Sequence, residues 1–250
     1  ASSTSPSASA AAPGVGRELW SYSTGGMVTG LALAGGTVFA GSTDDKVYAL
    51  RASDGHRLWA FRTRSSVQSR IAAVGGRVYA GSNDASVYAL RAGDGHPLWT
   101  FPAGGAVQSA IAVTGPVVYA GSDDETLYAL RASDGARLWG TSLGAGATGI
   151  AVTGGTVIVS GDDNAVHALR ASDGRRLWDF PTGVGGATGV AVARGIVYAG
   201  GNDYVVRALR ASDGGPVWQF TAAGPVASQI AVAGRTAYVG SNDFRVYALQ

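Results

Sequence analysis

Six tryptophans, Trp20, Trp59, Trp99, Trp139, Trp178 and Trp218, recur along this 250-residue chain at intervals of 39, 40, 40, 39 and 40 residues. Two further signals keep the same phase. A Tyr-Ala-Leu triplet or a variant of it ends at Leu50, Leu90, Leu130, Leu169, Leu209 and Leu249. An aspartate stands six residues before each of these leucines, at Asp44, Asp84, Asp124, Asp163, Asp203 and Asp243. Three phased signals mean that one unit of about 40 residues is repeated. A unit that small cannot bury its own apolar faces, so it must stack against its copies.

Within a unit the pattern is that of short strands. In the second copy a small apolar run, 69–74, ends at Gly75-Gly76, and 77–80 alternates before a turn at 81–84. Residues 87–91 carry Tyr88 and Leu90, Asp94-Gly95 makes a hairpin turn, and a last run holds Trp99 and Phe101. Runs of this length, rich in β-branched and aromatic residues, are strands, and glycine supplies the positive φ of the turns between them. No window supports a helix. The expected fold is all-β, a six-bladed β-propeller of four-stranded antiparallel blades over residues 17–250, because radial stacking leaves only short edges. A β-helix is the rival, but its coils are usually shorter than this unit. Leu19-Trp20-Ser21-Tyr22 has the sequence of a fourth strand with no unit before it, and the last copy runs only to a third strand at Leu249. The ring is therefore expected to close through this N-terminal strand, which would complete the last blade and remove two aggregation-prone edges.

Composition narrows the functional classes. Cysteine is absent, so disulfides, thiolate metal sites and cysteine nucleophiles are excluded. A net charge of +2 gives no case for a nucleic-acid partner. No apolar run has the length of a membrane span. Residues 1–16 are a Ser/Ala/Pro tract without charge. They lack the basic start and apolar middle of a signal peptide and have the composition of a flexible linker. The expectation is a domain tethered to a longer protein, or an exported one, extracytoplasmic rather than free in the cytoplasm.

The segment Ala49-Leu50-Arg51-Ala52-Ser53-Asp54-Gly55-His56-Arg57-Leu58-Trp59 resembles the tryptophan-docking motif of the quinoprotein (PQQ-type) β-propeller repeats, in which an Ala is followed by a Gly six residues later and a Trp four after that. Ala89/Gly95/Trp99, Ala129/Gly135/Trp139, Ala168/Gly174/Trp178 and Ala208/Gly214/Trp218 keep the same spacing, and the likeness covers nearly all of 17–250. It implies that the six tryptophans are structural, each laid on the small residues of the next blade. Two departures stand out. Arg51, Arg91, Arg131, Arg170 and Arg210 replace the usual Asp, and Asp replaces the Thr before the Gly. The resemblance also implies possible chemistry, because the family's alcohol and sugar dehydrogenases use a bound quinone, Ca²⁺, a catalytic Asp and often adjacent cysteines. Those enzymes are larger, with eight blades and long inserted loops. This chain has no cysteine and only short connections, so no cofactor and no catalytic residue are expected. A quinone-dependent oxidoreductase, or a fragment of one, is the alternative. Similar propellers follow Ser/Ala/Pro linkers at the C-terminus of some bacterial serine/threonine kinases, and others are envelope assembly scaffolds.

Other chemistry is not signalled. His56 and His96 occupy one turn position in adjacent copies, and His167 replaces a strand Tyr; the three form no metal-spaced set and are expected as exposed turn side chains. Asp123-Asp124 and Asp162-Asp163 lack the flanking pattern of a Ca²⁺ loop. The six phased aspartates are expected to accept backbone hydrogen bonds in turns. The phased hydroxyls Thr29, Ser69, Ser109, Thr148, Thr188 and Ser228 are expected to make structural bonds. No nucleophile–base arrangement is present.

In a meander the first and third turns share one face, and the second turns and inter-blade connections share the other. The copies differ most on that second face. Lys46, Arg62, Arg64, Arg70 and Arg245 fall on blades six, one and two, acidic residues fall on blades three and four, and Tyr204 and Phe244 replace polar residues at one turn position in blades five and six. Gln68, Gln108 and Gln229 are placed toward the channel mouth. These ten residues form the candidate ligand face, for a protein segment or an anionic or glycan ligand. The expected function is that of a monomeric, non-catalytic recognition module, a sensor or scaffold.

Overall fold

The computed structural model describes residues 17–183, 187–226 and 230–250; residues 1–16 and Gln229 lie outside them. The protein is a propeller of six sheets spanning 28–62, 72–102, 111–142, 147–181, 187–221 and 231–249, with no helix among the described residues. The first five sheets each have four antiparallel strands in chain order, and the sixth has three. In the second sheet the strands are Ala72–Val74, Arg77–Ser82, Ser86–Arg91 and Pro97–Pro102. The first of these starts three residues later than its sequence suggests. Ser69 Oγ, rather than a main-chain carbonyl, takes the Gly81 N–H at 2.7 Å, which ends the ladder early.

The core lies between sheets rather than within them. Phe39, Val47, Ala49 and Trp59 of sheet one are buried with Val67 and Ile71 of the following connection and Val78, Ala80, Tyr88 and Leu90 of sheet two. The same positions make the corresponding clusters further along the chain. Each ladder between third and fourth strands slips by one residue beside the tryptophan, as between Ala49↔Trp59 and Leu50↔Arg57. A bulge of this kind bends the strand and re-aims a side chain. Here the indole is laid across the next sheet's hairpin. Trp59 Nε1 donates to Ala92 O at 2.9 Å, Trp99 to Ala132 O at 3.0 Å, Trp139 to Ala171 O at 3.0 Å and Trp178 to Ala211 O at 3.1 Å. The floor beneath is glycine in the left-handed conformation. A Cβ on Gly95, at φ 73°, would stand 2.7 Å from the Trp59 ring.

The two departures from the quinoprotein pattern belong together. Arg51 pairs with Asp54 at 2.8 Å, and Arg91–Asp94, Arg131–Asp134, Arg170–Asp173 and Arg210–Asp213 repeat the contact across each hairpin. These are exposed pairs, screened by solvent, and add little to stability.

Residues 17–24 do not join a sheet. Trp20 Nε1 donates to Ala52 O at 2.9 Å, and the rings of Tyr22 and Tyr48 lie 5.7 Å apart, so side chains hold this segment to sheet one as a preceding blade would be held. The strand Arg245–Leu249, however, pairs only with Thr236–Ser241 among the described residues. The expected closing ladder is thus not formed: the burial of Trp20 and Tyr22 on sheet one is achieved without it. As a result Leu31 and Leu33 on sheet one, and Tyr238 and Val246 on sheet six, are exposed.

Candidate interaction face

The second turn of every sheet is built the same way. The phased aspartate opens it and a left-handed residue follows: Asp45, Ala85, Glu125, Asn164, Tyr204 and Phe244 have φ between 62° and 70°. Four of the aspartates tie the turn to the incoming connection. Gly25 N donates to Asp44 at 3.0 Å, Arg64 N to Asp84 at 2.9 Å, Gly104 N to Asp124 at 2.7 Å and Ala223 N to Asp243 at 3.0 Å. Each of the four also accepts from a tyrosine hydroxyl four residues on, for example Tyr88 to Asp84 at 2.6 Å. Burial pulls the Asp44 carboxyl upward, but bonds from Tyr48, Lys46, Ser42 and Gly25 outweigh it and hold it at about 2. Burial, with the Asp84 bond, pushes Tyr88 up to about 12. The expected turn role of the aspartates is therefore observed, and the tyrosine partner is the part that sequence did not reveal.

Sheets four and five vary this design. Arg207 replaces the tyrosine and forms a close ion pair with Asp203. His167 replaces it in sheet four and is buried, which corrects the expectation of an exposed turn histidine; the strand position it inherits points inward, as the tyrosines do. Its Nδ1 lies 2.6 Å from Asp179 and its Nε2 3.2 Å from Asp163. Asp179 faces His167 directly across the ladder, where the other copies carry Ala60, Thr100, Gly140 and Gln219. Burial raises the Asp179 carboxyl, but the bond from His167 and the Arg176 charge outweigh this and keep it low. The signal for this pair was present as two substitutions in the same copy at facing positions. His56 and His96 are exposed in hairpin turns, as expected.

The phased hydroxyls are spent on the backbone. Thr29 Oγ1 donates to Val67 O at 2.6 Å, Ser109 Oγ donates to Gly121 O at 3.1 Å, and Thr148 Oγ1 donates to Ser160 O at 3.0 Å. The side chains of Thr188 and Ser228 lie outside what is described. No group of three or more His, Asp or Glu side chains converges on a metal-sized site among the described residues.

The candidate ligand face divides. Lys46 pairs with Asp44 at 3.0 Å and Arg62 with Asp45 at 3.5 Å, so two of the five cations are answered by the turn beside them. Gln68 bonds Ser66, and Gln108 bonds Asp123 at 2.9 Å. Asp123 is pushed upward by burial and by the nearby Asp162 charge. Arg64 and Arg245 are exposed. Arg70 lies among residues of the first strands and the connections before them. Tyr204 and Phe244 stand at the tips of their turns, 46% and 100% exposed.

The family model described as outer membrane protein assembly factor BamB matches residues 6–149, 86–188 and 181–250. The chain belongs to that family. No curated protein matches it. Among solved structures, BamB from Moraxella catarrhalis is similar at a TM-score of 0.64 and 18% identity, covering 92% of this chain and 85% of that one. A computationally designed protein, Ika8, is similar at 0.64 and 16% identity, over 88% of this chain and 82% of its own. At these identities the likeness to both structures carries the fold. Family membership makes a scaffold-type module with protein–protein contacts the general class, and no helix of the described residues is long and apolar enough to cross a membrane.

Proposed function

We propose that the chain is a non-catalytic, monomeric recognition module, working outside the cytoplasm, that holds a protein partner on the face formed by the second turns. One observation carries this reading. Tyr204 and Phe244 occupy left-handed positions at φ 70° and 66° while their side chains point into solvent. A bulky residue held there costs about 1–3 kcal/mol, and the equivalent residues elsewhere are Asp, Ala, Glu and Asn. No internal packing offsets the strain at Phe244, which is fully exposed. Exposed aromatics retained at such a cost suit an interface anchor. A protein is favoured over an anionic glycan because Lys46 and Arg62 are already paired. The family description, an assembly factor, supports the same class.

The test places a photo-crosslinking residue at position 244, identifies the captured partner in cells, and then measures its binding by purified protein. Tyr204→Asn with Phe244→Asn should abolish binding while leaving the melting temperature equal or higher. Undiminished binding by that variant would overturn the reading. The enzymatic alternative has its own check: reconstitution with quinone and Ca²⁺ followed by a dye-linked alcohol assay, in which no turnover is expected.

A further inference from the structure

The first and third turns share one end of each sheet: Ala92 N donates to Gly76 O at 2.9 Å, and Ala211 N to Gly195 O at 2.8 Å. The indole bonds from each sheet to the next hairpin keep these ends on one side of the molecule, opposite the second turns. Every carboxylate of these turns, Asp54, Asp94, Asp134, Asp173 and Asp213, is already paired with an arginine of its own hairpin. Arg77, Arg137, Arg175, Arg194 and Arg235 come on top of those neutral pairs and make no ion pair among the described residues; all but Arg77 are exposed. The second-turn end is the reverse. Lys46, Arg62 and Arg207 are paired there, while Asp123, Glu125 and Asp162 make no ion pair among the described residues. The net charge of +2 thus conceals a cationic end and an anionic one.

Arg194 shows that the charge at the hairpin end is not a by-product of packing. Its φ is 52°, at a position where the other described copies carry Gly35, Gly75, Gly115, Gly154 and Gly234. A Cβ on any of these five glycines meets nothing within 4 Å, so a side chain at this position gains no internal contact. The left-handed conformation still disfavours it. Aliphatic side chains stand beside the arginines. Leu98, Leu138, Leu177 and Val217, each three residues after a hairpin glycine, are 37–49% exposed. Arginine interleaved with leucine suits a lipid headgroup boundary, where the guanidinium meets phosphate and the aliphatic chain enters the acyl edge. Nucleic acid bound without sequence preference is held by stacking on aromatic rings, and the side chains interleaved here are aliphatic.

We propose that the hairpin end docks on an anionic membrane surface, with Arg137, Arg175, Arg194 and Arg235 meeting lipid phosphates and the aliphatic side chains lying at headgroup level. This surface is at the opposite end from Tyr204 and Phe244, so it is independent of the partner read from them and leaves their face free.

The test is co-sedimentation of the full chain with vesicles of phosphatidylcholine alone or with about one-third phosphatidylglycerol. The anionic vesicles should bind it and the neutral ones should not, and raising salt from about 0.05 M to about 0.5 M should release it. Arg175→Gln, Arg194→Gly and Arg235→Gln together should weaken binding on the order of a hundredfold, at about fivefold for each arginine near the surface. Arg194→Gly also relieves the left-handed backbone, and the melting temperature of each variant is the control for folding. Arg62→Gln, Arg64→Gln and Arg245→Gln remove the same charge from the other end and should leave vesicle binding unchanged. Equal binding of neutral and anionic vesicles overturns the proposal, as does a folded hairpin-end variant that binds like the parent or an equal loss in the two triple variants. Tighter binding to a DNA duplex than to anionic vesicles at the same salt makes nucleic acid the partner and overturns it as well.

Discussion

Gly75 and Gly95 allow the tryptophan floor to be separated from backbone conformation within a single sheet. Both have positive φ, 58° and 73°, and both sit in turns of sheet two. A methyl group on Gly75 meets nothing within 4 Å, whereas one on Gly95 stands 2.7 Å from the Trp59 ring. Alanine at either site bears the left-handed cost, about 1–2 kcal/mol. At Gly95 it must also displace an indole held by a hydrogen bond to Ala92 O, an overpacking cost of about 1–3 kcal/mol. Gly75→Ala should therefore lose about 1–2 kcal/mol and Gly95→Ala about 2–5. For a chain of this size each kcal/mol corresponds to roughly 2–4 °C in Tm. Urea unfolding of both variants, alone and in a Trp59→Ala background, closes the cycle. Once the indole is gone, Gly95→Ala should cost no more than Gly75→Ala, giving a coupling of about 1–3 kcal/mol. Equal losses at the two glycines in the parent protein, or a Gly95→Ala cost indifferent to Trp59, would refute the claim that the floor is steric.

Trp20→Ala should destabilise less than Trp99→Ala, which is expected to lose about 3–5 kcal/mol, because Trp20 is only half-buried; denaturant melts of the pair decide this. Asp44, at about 2 in the folded protein against 3.8 as an ordinary side chain, contributes stability that is complete above pH 4 and is lost as pH falls through 2, so Asp44→Asn should flatten the acid limb of a pH–Tm profile. His167→Tyr alone should destabilise, since it crowds Asp179, and adding Asp179→Ala should restore stability by recreating the Tyr48↔Ala60 pairing of sheet one; a double variant no better than the single would count against the His167–Asp179 contact.

The fold was legible because the residues that set the repeat are also those that pack the sheets. The interval between tryptophans, the Asp-Gly hairpins and the Tyr-Ala-Leu strands are local patterns, and each has a local structural cause. Tyr204 and Phe244 were legible as odd residues in a regular position, but their left-handed backbone follows from the turn type, which the flanking residues do not declare. Residues 19–22 have a fourth strand's sequence, yet their side chains settle on sheet one while their backbone remains unladdered. Sequence pattern reports which faces are apolar; it does not report whether a ladder forms along with the burial. His167 was misplaced for a different reason. A histidine in isolation suggests an exposed, titratable side chain, and only the cross-strand partner Asp179 explains how it is buried.

The uncovered side chains at the two ends of the array bear on how the molecule comes apart. Val87 and Val206 are sealed between two sheets, whereas Val246, in the same place on sheet six, is 78% exposed. Each interior sheet is braced by a sheet on both sides, whereas among the described residues sheet one has only the Trp20–Tyr22 segment on its outer side and sheet six has no covering sheet, so the array behaves as a row of coupled units in which loosening begins at the ends. Amide protons in 231–249 and 28–34 should then exchange earlier than those of 157–169, with the middle sheets as the last part of the protein to let go.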